Sequence, residues 1–139
     1  MSQLAYQSLE VGSELPTSTS APISRTTLAL YAGASGDHNP IHIDIDFARK
    51  FGMPDVFAHG MLNMAFLGQL LTGWVPQSAI RQYGVRFVAI TRVGDQITCC
   101  GKVTEKFEEN GEKLVRLELS AVNQDGYVKL SGQAVIALP

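Results

Sequence analysis

The stretch Gly60 to Trp74 constrains this chain more than any other. Met61, Leu62, Met64, Ala65, Phe66, Leu67, Leu70 and Leu71 place apolar groups on nearly every face of a helix. A membrane span needs about 20 such residues, and this run is shorter. A helix that is apolar all round must be buried inside a fold or its interface. Pro76 ends it, and the chain beyond reads as sheet. Tyr83, Val85, Phe87 and Ala89 alternate with Gly84, Arg86 and Val88. After a Gly94-Asp95 turn, Ile97, Cys99 and Val103 mark a second strand. Asn110-Gly111 is a strong hairpin signal, and Val115, Leu117, Leu119 and Ala121 alternate with polar partners beyond it. Asp125-Gly126 makes another hairpin, into Val128, Leu130, Ala134 and Ile136. The expected class is α+β, with an antiparallel sheet wrapped around the one apolar helix.

Helices come early. Pro16 and Pro22 flank a polar stretch, Thr17 to Ser20, that reads as extended chain. Ser24 is placed to cap a first helix, with Leu28, Leu30, Tyr31 and Ala34 facing a core and Gly36 and Pro40 closing it. Asp44 or Asp46 caps a short helix through Phe47 to Phe51, ended by Gly52 and Pro54. The 139 residues, 45% hydrophobic and 17% charged, make one domain over 1–139 with a full core. A net charge of −2 without a basic block argues against nucleic acid, although Arg81, Arg86, Arg92 and Lys102 offer local charge for phosphates. No run reaches transmembrane length, and Met1 to Leu9 lacks the basic-then-apolar order of a signal peptide. Cys99 and Cys100, adjacent in a strand, point to opposite faces and do not bridge. A soluble protein of a reducing compartment is expected, with the cytoplasm as default and no membrane partner.

The chemistry concentrates in Tyr31-Ala-Gly-Ala-Ser-Gly-Asp-His-Asn-Pro-Ile-His42. Asp37 and His42 lie five residues apart on a short loop. Such a pair moves protons on and off water; it equally describes a turn carboxylate beside a satisfied core histidine. Gly36, Asn39 and Pro40 stiffen the loop, which favours the first reading. His59-Gly60 opens the apolar helix. Gly60 leaves backbone N–H groups open to a carbonyl oxygen, though by itself the pair is also an ordinary helix start. A metal site on His42, Asp44 and Asp46, with Asp37 and His38 nearby, is the third option. It requires a strand there, and Asp44 is more economically a helix cap, so no metal is expected. No nucleophile elbow, phosphate-cradling loop or CxxC is present, and no cofactor is expected.

The twelve residues resemble the hydratase motif of the MaoC-like (R)-specific enoyl-thioester hydratases and dehydratases. Ala58-His-Gly-Met-Leu62 resembles the start of their central helix, and Val85-Arg-Phe87 with Gly94-Asp95 the strand and turn beyond it. The resemblance covers the chain from about Leu9 to its end. It implies a hot dog fold, a curled antiparallel sheet around one long helix. It also implies a dimer joined sheet edge to sheet edge, a homodimer or a heterodimer with a second hot dog chain. Carried over, Asp37 and His42 become the catalytic pair, with Asn39, His59 and the Gly60 N–H around an acyl thioester of coenzyme A or acyl carrier protein. Where some members carry a serine one to two turns into the helix, Gly68 stands, with Asn63 and Gln69 nearby. Ile90 replaces a proline common before the Gly-Asp turn. The rival readings are a non-catalytic subunit of a heteromeric dehydratase and a hot dog thioesterase. The intact Asp37/His42 pair speaks against both.

Overall fold

The structure is a computed structural model in which residues 5–139 are described; the first four residues of the stretch read for a leader lie outside them. In chain order the elements are β1 (Ser18–Thr19), α1 (Arg25–Ser35), α2 (Ile45–Lys50), α3 (Gly60–Trp74), β2 (Ile80–Phe87), β3 (Thr98–Glu109), β4 (Glu112–Val122) and β5 (Val128–Leu138). The strands form one antiparallel sheet in the order β1-β3-β4-β5-β2. α3 touches β2, β3, β4 and β5, so the sheet curls around it as a hot dog fold.

The hairpins form where their turn residues place them. Asn110 and Gly111 both take positive φ, at 51° and 78°, the pair of left-handed residues that a tight two-residue turn requires. Val115, Leu117, Leu119 and Ala121 of β4 face inward and are fully buried against the helix. Leu67 and Leu71 of α3 are likewise at 0% exposure. Truncating either to alanine removes about 2–5 kcal/mol, because nothing fills the space. Both cysteines are free, and burial pushes the Cys99 thiol up to about 12.

Several expectations shift. The short helix is Ile45–Lys50, capped by Asp44, whose carboxylate accepts the Asp46 and Phe47 N–H groups. Thr17 to Ser20 contributes β1, pairing with Thr98 and Cys99 at the sheet edge. The strand expected through Ala89 stops at Phe87, where the backbone turns so that Val88 and Ala89 both donate to the Lys129 carbonyl. In α1, Ser24 caps as expected, and Leu28 and Ala32 are buried. Leu30 and Ala34, expected inside, are exposed, because they lie on the side of the helix opposite the buried Leu28 and Ala32.

Candidate active site

Three local devices bring the site together. Gly36, with φ 77°, ends α1 in the left-handed cap that glycine adopts without penalty, and the chain turns away. Asp37 comes next, its N–H donating to Ser35 Oγ and its Oδ1 accepting the Asn39 N–H at 3.2 Å. Asn39 Oδ1 accepts the Ile41 N–H at 3.1 Å and starts the 3-10 turn Pro40–His42. Asp37 therefore spends one carboxylate oxygen on its own loop and keeps the other, Oδ2, free.

That oxygen lies 3.9 Å from His42 Nε2. The gap exceeds a hydrogen bond, so both groups can reach one water molecule between them. The His42 side chain is 10% exposed and that of Asp37 53%. His42 Nδ1 is 2.7 Å from the Phe57 carbonyl, and a carbonyl only accepts, so Nδ1 carries the proton. Nε2 of the neutral ring is then a lone pair aimed toward Asp37, the tautomer a general base requires.

His59 lies beneath. Its ring stacks on His42 with centroids 3.8 Å apart at 25°, and Tyr31 meets its edge at 4.9 Å. His59 Nε2 donates to the Asp37 carbonyl at 3.1 Å, which fixes the loop from below. The residue is 2% exposed, and its Nδ1 meets no hydrogen-bond partner among the described residues. Burial holds its pKa below the ordinary histidine range, with neighbouring His42 acting the same way against the pull of Asp37. The ring that stacks beneath His42 is therefore held in its neutral form. Burial, then the Asp37 charge, raises the Tyr31 phenol, so it stays neutral.

Gly60 is the first residue of α3, with His59 at its N-cap, and it is exposed. The first N–H groups of a helix lack intrahelical partners and carry the positive end of the dipole. The segment leading in is held by a loop that sequence reasoning missed. Ala58 donates to the Thr91 carbonyl at 2.8 Å, and Asn63 of the first helical turns reaches Thr91 Oγ1 at 2.5 Å. Behind Thr91, buried Lys129 donates to the Ile90 carbonyl at 2.8 Å and lies 3.9 Å from buried Asp95. Burial opposes ionisation of Asp95, but the Arg92 N–H, Gln124, Lys129 and Asn123 together bring its pKa below the usual range. The Gly94-Asp95 turn is the only signal of this arrangement in the sequence.

The acid and imidazole cluster is not the His42, Asp44 and Asp46 set of the metal option. Asp44 is a helix cap, and the residues that converge are Asp37, His42 and His59, with ligand atoms within 4.8 Å of one another. Zinc lies about 2.0–2.1 Å from an imidazole nitrogen, along the ring plane. Two rings 3.8 Å apart and tilted by 25° do not bring their planes together so closely, so the stack suits proton chemistry better than ligation. No helix among the described residues is long and apolar enough to cross a membrane.

Residues 7–124 match the family model described as a MaoC like domain. The (R)-specific enoyl-CoA hydratase of Aeromonas caviae is 30% identical over 138 residues, covering 98% of this chain and 100% of that protein. The solved structure of an unliganded (R)-hydratase from Pseudomonas aeruginosa superimposes with a TM-score of 0.86 at 31% identity, over 99% of this chain and 86% of that one. The fatty acid synthase subunit beta of Saccharomyces cerevisiae is 30% identical over 140 residues, 96% of this chain. This chain spans only 6% of that subunit's length.

Proposed function

The chain belongs to the family of MaoC-like domains, and from its site we propose that it reversibly hydrates trans-2-enoyl thioesters to (3R)-3-hydroxyacyl thioesters. The observation that carries this reading is the His42 Nε2 to Asp37 Oδ2 gap of 3.9 Å beside the start of α3, with the His42 tautomer fixed by Phe57. A hydro-lyase activity is also in keeping with the names of its relatives.

The geometry suits each step. The thioester carbonyl oxygen sits at the Gly60 N–H. A water between Asp37 and His42 gives up a proton to the pair, and its oxygen bonds to the β-carbon. The alkene electrons move through the α-carbon onto the carbonyl oxygen, where the helix N-terminus stabilises the enolate. A proton from the pair then reaches the α-carbon, so water has been added with no net oxidation or reduction. Asp37 and His42 share the handling of both protons in this scheme. Asn39 and His59 act on the pair from below and behind, and Gly60 binds substrate.

Within the same reading the thioester is carried by coenzyme A or acyl carrier protein, and the protein works in the cytoplasm. A second copy pairs along the open edge of β2, the last strand of the sheet, with a different hot dog chain as the alternative partner. The test is crotonyl-CoA in the presence of the purified protein. Loss of enoyl absorbance, with (3R)-3-hydroxybutyryl-CoA as product and no free thiol, supports the reading. Thiol release without hydration identifies a thioesterase, and neither signal on either carrier points to a non-catalytic subunit.

A further inference from the structure

α3 turns Gly60, Met64 and Gly68 to one side at intervals of four, a face roughly 12 Å long at the helical rise. β2 runs beside this face. Its Phe87 and Tyr83 are also four residues apart, which is roughly 13 Å at the strand rise. The matched spacings put one aromatic over each glycine. A Cβ at Gly60 would lie 2.7 Å from Phe87 Cδ1, and a Cβ at Gly68 would lie 3.6 Å from Tyr83 Cε2. Any side chain larger than hydrogen at Gly60 meets the Phe87 ring.

The two rings are held differently. Phe87 is 56% exposed and free to swing. Tyr83 is half-buried, and its hydroxyl donates to the Met64 carbonyl at 2.6 Å, which locks the ring across the helix face. Burial raises its phenol well above the ordinary range, so it remains a donor at all working pH. Met64 and Val85, which fall between the rings along the two elements, are partly buried and packed against the core.

On the hydratase reading, the carbonyl lies at Gly60 and the β-carbon at Asp37 and His42. The carrier arm is too large to enter and leaves to solvent. The acyl tail beyond the β-carbon needs apolar cover, and the seam that begins at the same glycine supplies it. We propose that Tyr83 closes this seam and limits the chain to short-tailed enoyl thioesters. A tail that passes Phe87 and Met64 meets the edge of the Tyr83 ring over Gly68 and has to leave into water. Tyr83 is thus a specificity-determining residue, distinct from the groups that handle the proton.

The inference rests on the hydratase reading, and one experiment separates the two. Hydration of crotonyl-, 2-hexenoyl-, 2-octenoyl- and 2-decenoyl thioesters, each on coenzyme A and on acyl carrier protein, is measured for the wild type, Tyr83→Ala and Tyr83→Phe. The wild type is expected to favour crotonyl and hexenoyl substrates. Each tail methylene given apolar cover is worth roughly fourfold, so Tyr83→Ala should raise the octenoyl-to-crotonyl ratio of kcat/KM by about tenfold or more. Tyr83→Phe keeps the ring in the seam and should keep the short-chain preference. If Tyr83→Ala does not fold, Tyr83→Leu, which also opens the far end, is read in its place. A wild type that uses decenoyl as well as crotonyl thioesters, or an opened variant that leaves the ratio unchanged, overturns the inference while the hydratase reading stands. No hydration of any thioester by the wild type overturns both.

Discussion

Replacing Gly60 by alanine separates the role of the helix start in catalysis from its role in folding. The new methyl would lie 2.7 Å from Phe87 Cδ1 and 2.9 Å from Cε1, whereas carbon atoms rest at about 3.5–4.0 Å. The ring therefore has to move by about 1 Å. Phe87 is 56% exposed, so it can yield at the loss of only part of its contact with the helix. Alanine in place of glycine stabilises a helix by about 0.5–1 kcal/mol, which offsets much of that loss. Net stability should change by less than about 1 kcal/mol, measured as the urea midpoint at constant slope. Activity should respond far more. The methyl and the displaced ring both crowd the approach of the carbonyl oxygen to the Gly60 N–H, and loss of one such donor costs about 10²–10³ in kcat. A fall of roughly 10- to 100-fold in kcat/KM for crotonyl-CoA is expected, since the donor is obstructed rather than removed. In a Phe87→Ala background the same substitution should cost distinctly less. Wild-type kcat/KM combined with a loss of more than about 2 kcal/mol of stability would refute the reasoning, because the glycine would then serve packing alone.

Three other perturbations probe the surroundings of the site. Lys129→Met removes the donor to the Ile90 carbonyl and leaves the Asp95 carboxylate buried; unfolding in urea should show a loss of about 3 kcal/mol, and a loss under about 1 kcal/mol would contradict this view of the buried pair. Asn39→Ala deletes the cap on Ile41; about 1 kcal/mol of stability and roughly tenfold in kcat should go, with KM nearly unchanged in steady-state kinetics. His59 has a depressed pKa in the folded protein. The unfolded chain binds its proton below about pH 6.5 while the folded protein resists it, so this contribution to stability is complete above that value and is lost as pH falls through the folded pKa. Urea midpoints measured from about pH 7.5 down to about pH 5 should fall more steeply for the wild type than for His59→Gln, and equal slopes would argue against a buried neutral imidazole.

The elements that declare themselves in sequence are those whose signal is local. Asn110-Gly111 demands a tight turn, Asp44 caps the helix behind it, Gly36 ends α1, and the apolar run from Met61 to Leu71 needs cover on every side. Asp37 and His42 are legible because their loop is short and stiff. Periodicity records which residues share a face of one element; it does not record which faces of two elements meet. That is why Leu30 lies outside the core against expectation, why the stacking of His59 beneath His42 is not legible, and why nothing in the pattern joins Asp95 and Lys129 to the site. The contact of Tyr83 with Met64 and Gly68 likewise depends on how β2 lies along α3.

The most direct test of the water-handling pair is the turnover number for enoyl-thioester hydration by Asp37→Asn and His42→Ala. Asp37→Asn keeps the loop near its present shape, since the amide oxygen it introduces can still accept the Asn39 N–H, whereas His42→Ala keeps the Asn39 turn but gives up the bond to the Phe57 carbonyl and the stack on His59. Each removes one of the two groups proposed to share a water, and positioned acid–base groups are worth about 10²–10⁴-fold. A fall of that size in kcat is predicted for each variant, with the urea midpoint of Asp37→Asn close to the wild type and that of His42→Ala lower by the equivalent of about 1–3 kcal/mol. Full turnover in either folded variant would contradict the shared-water mechanism.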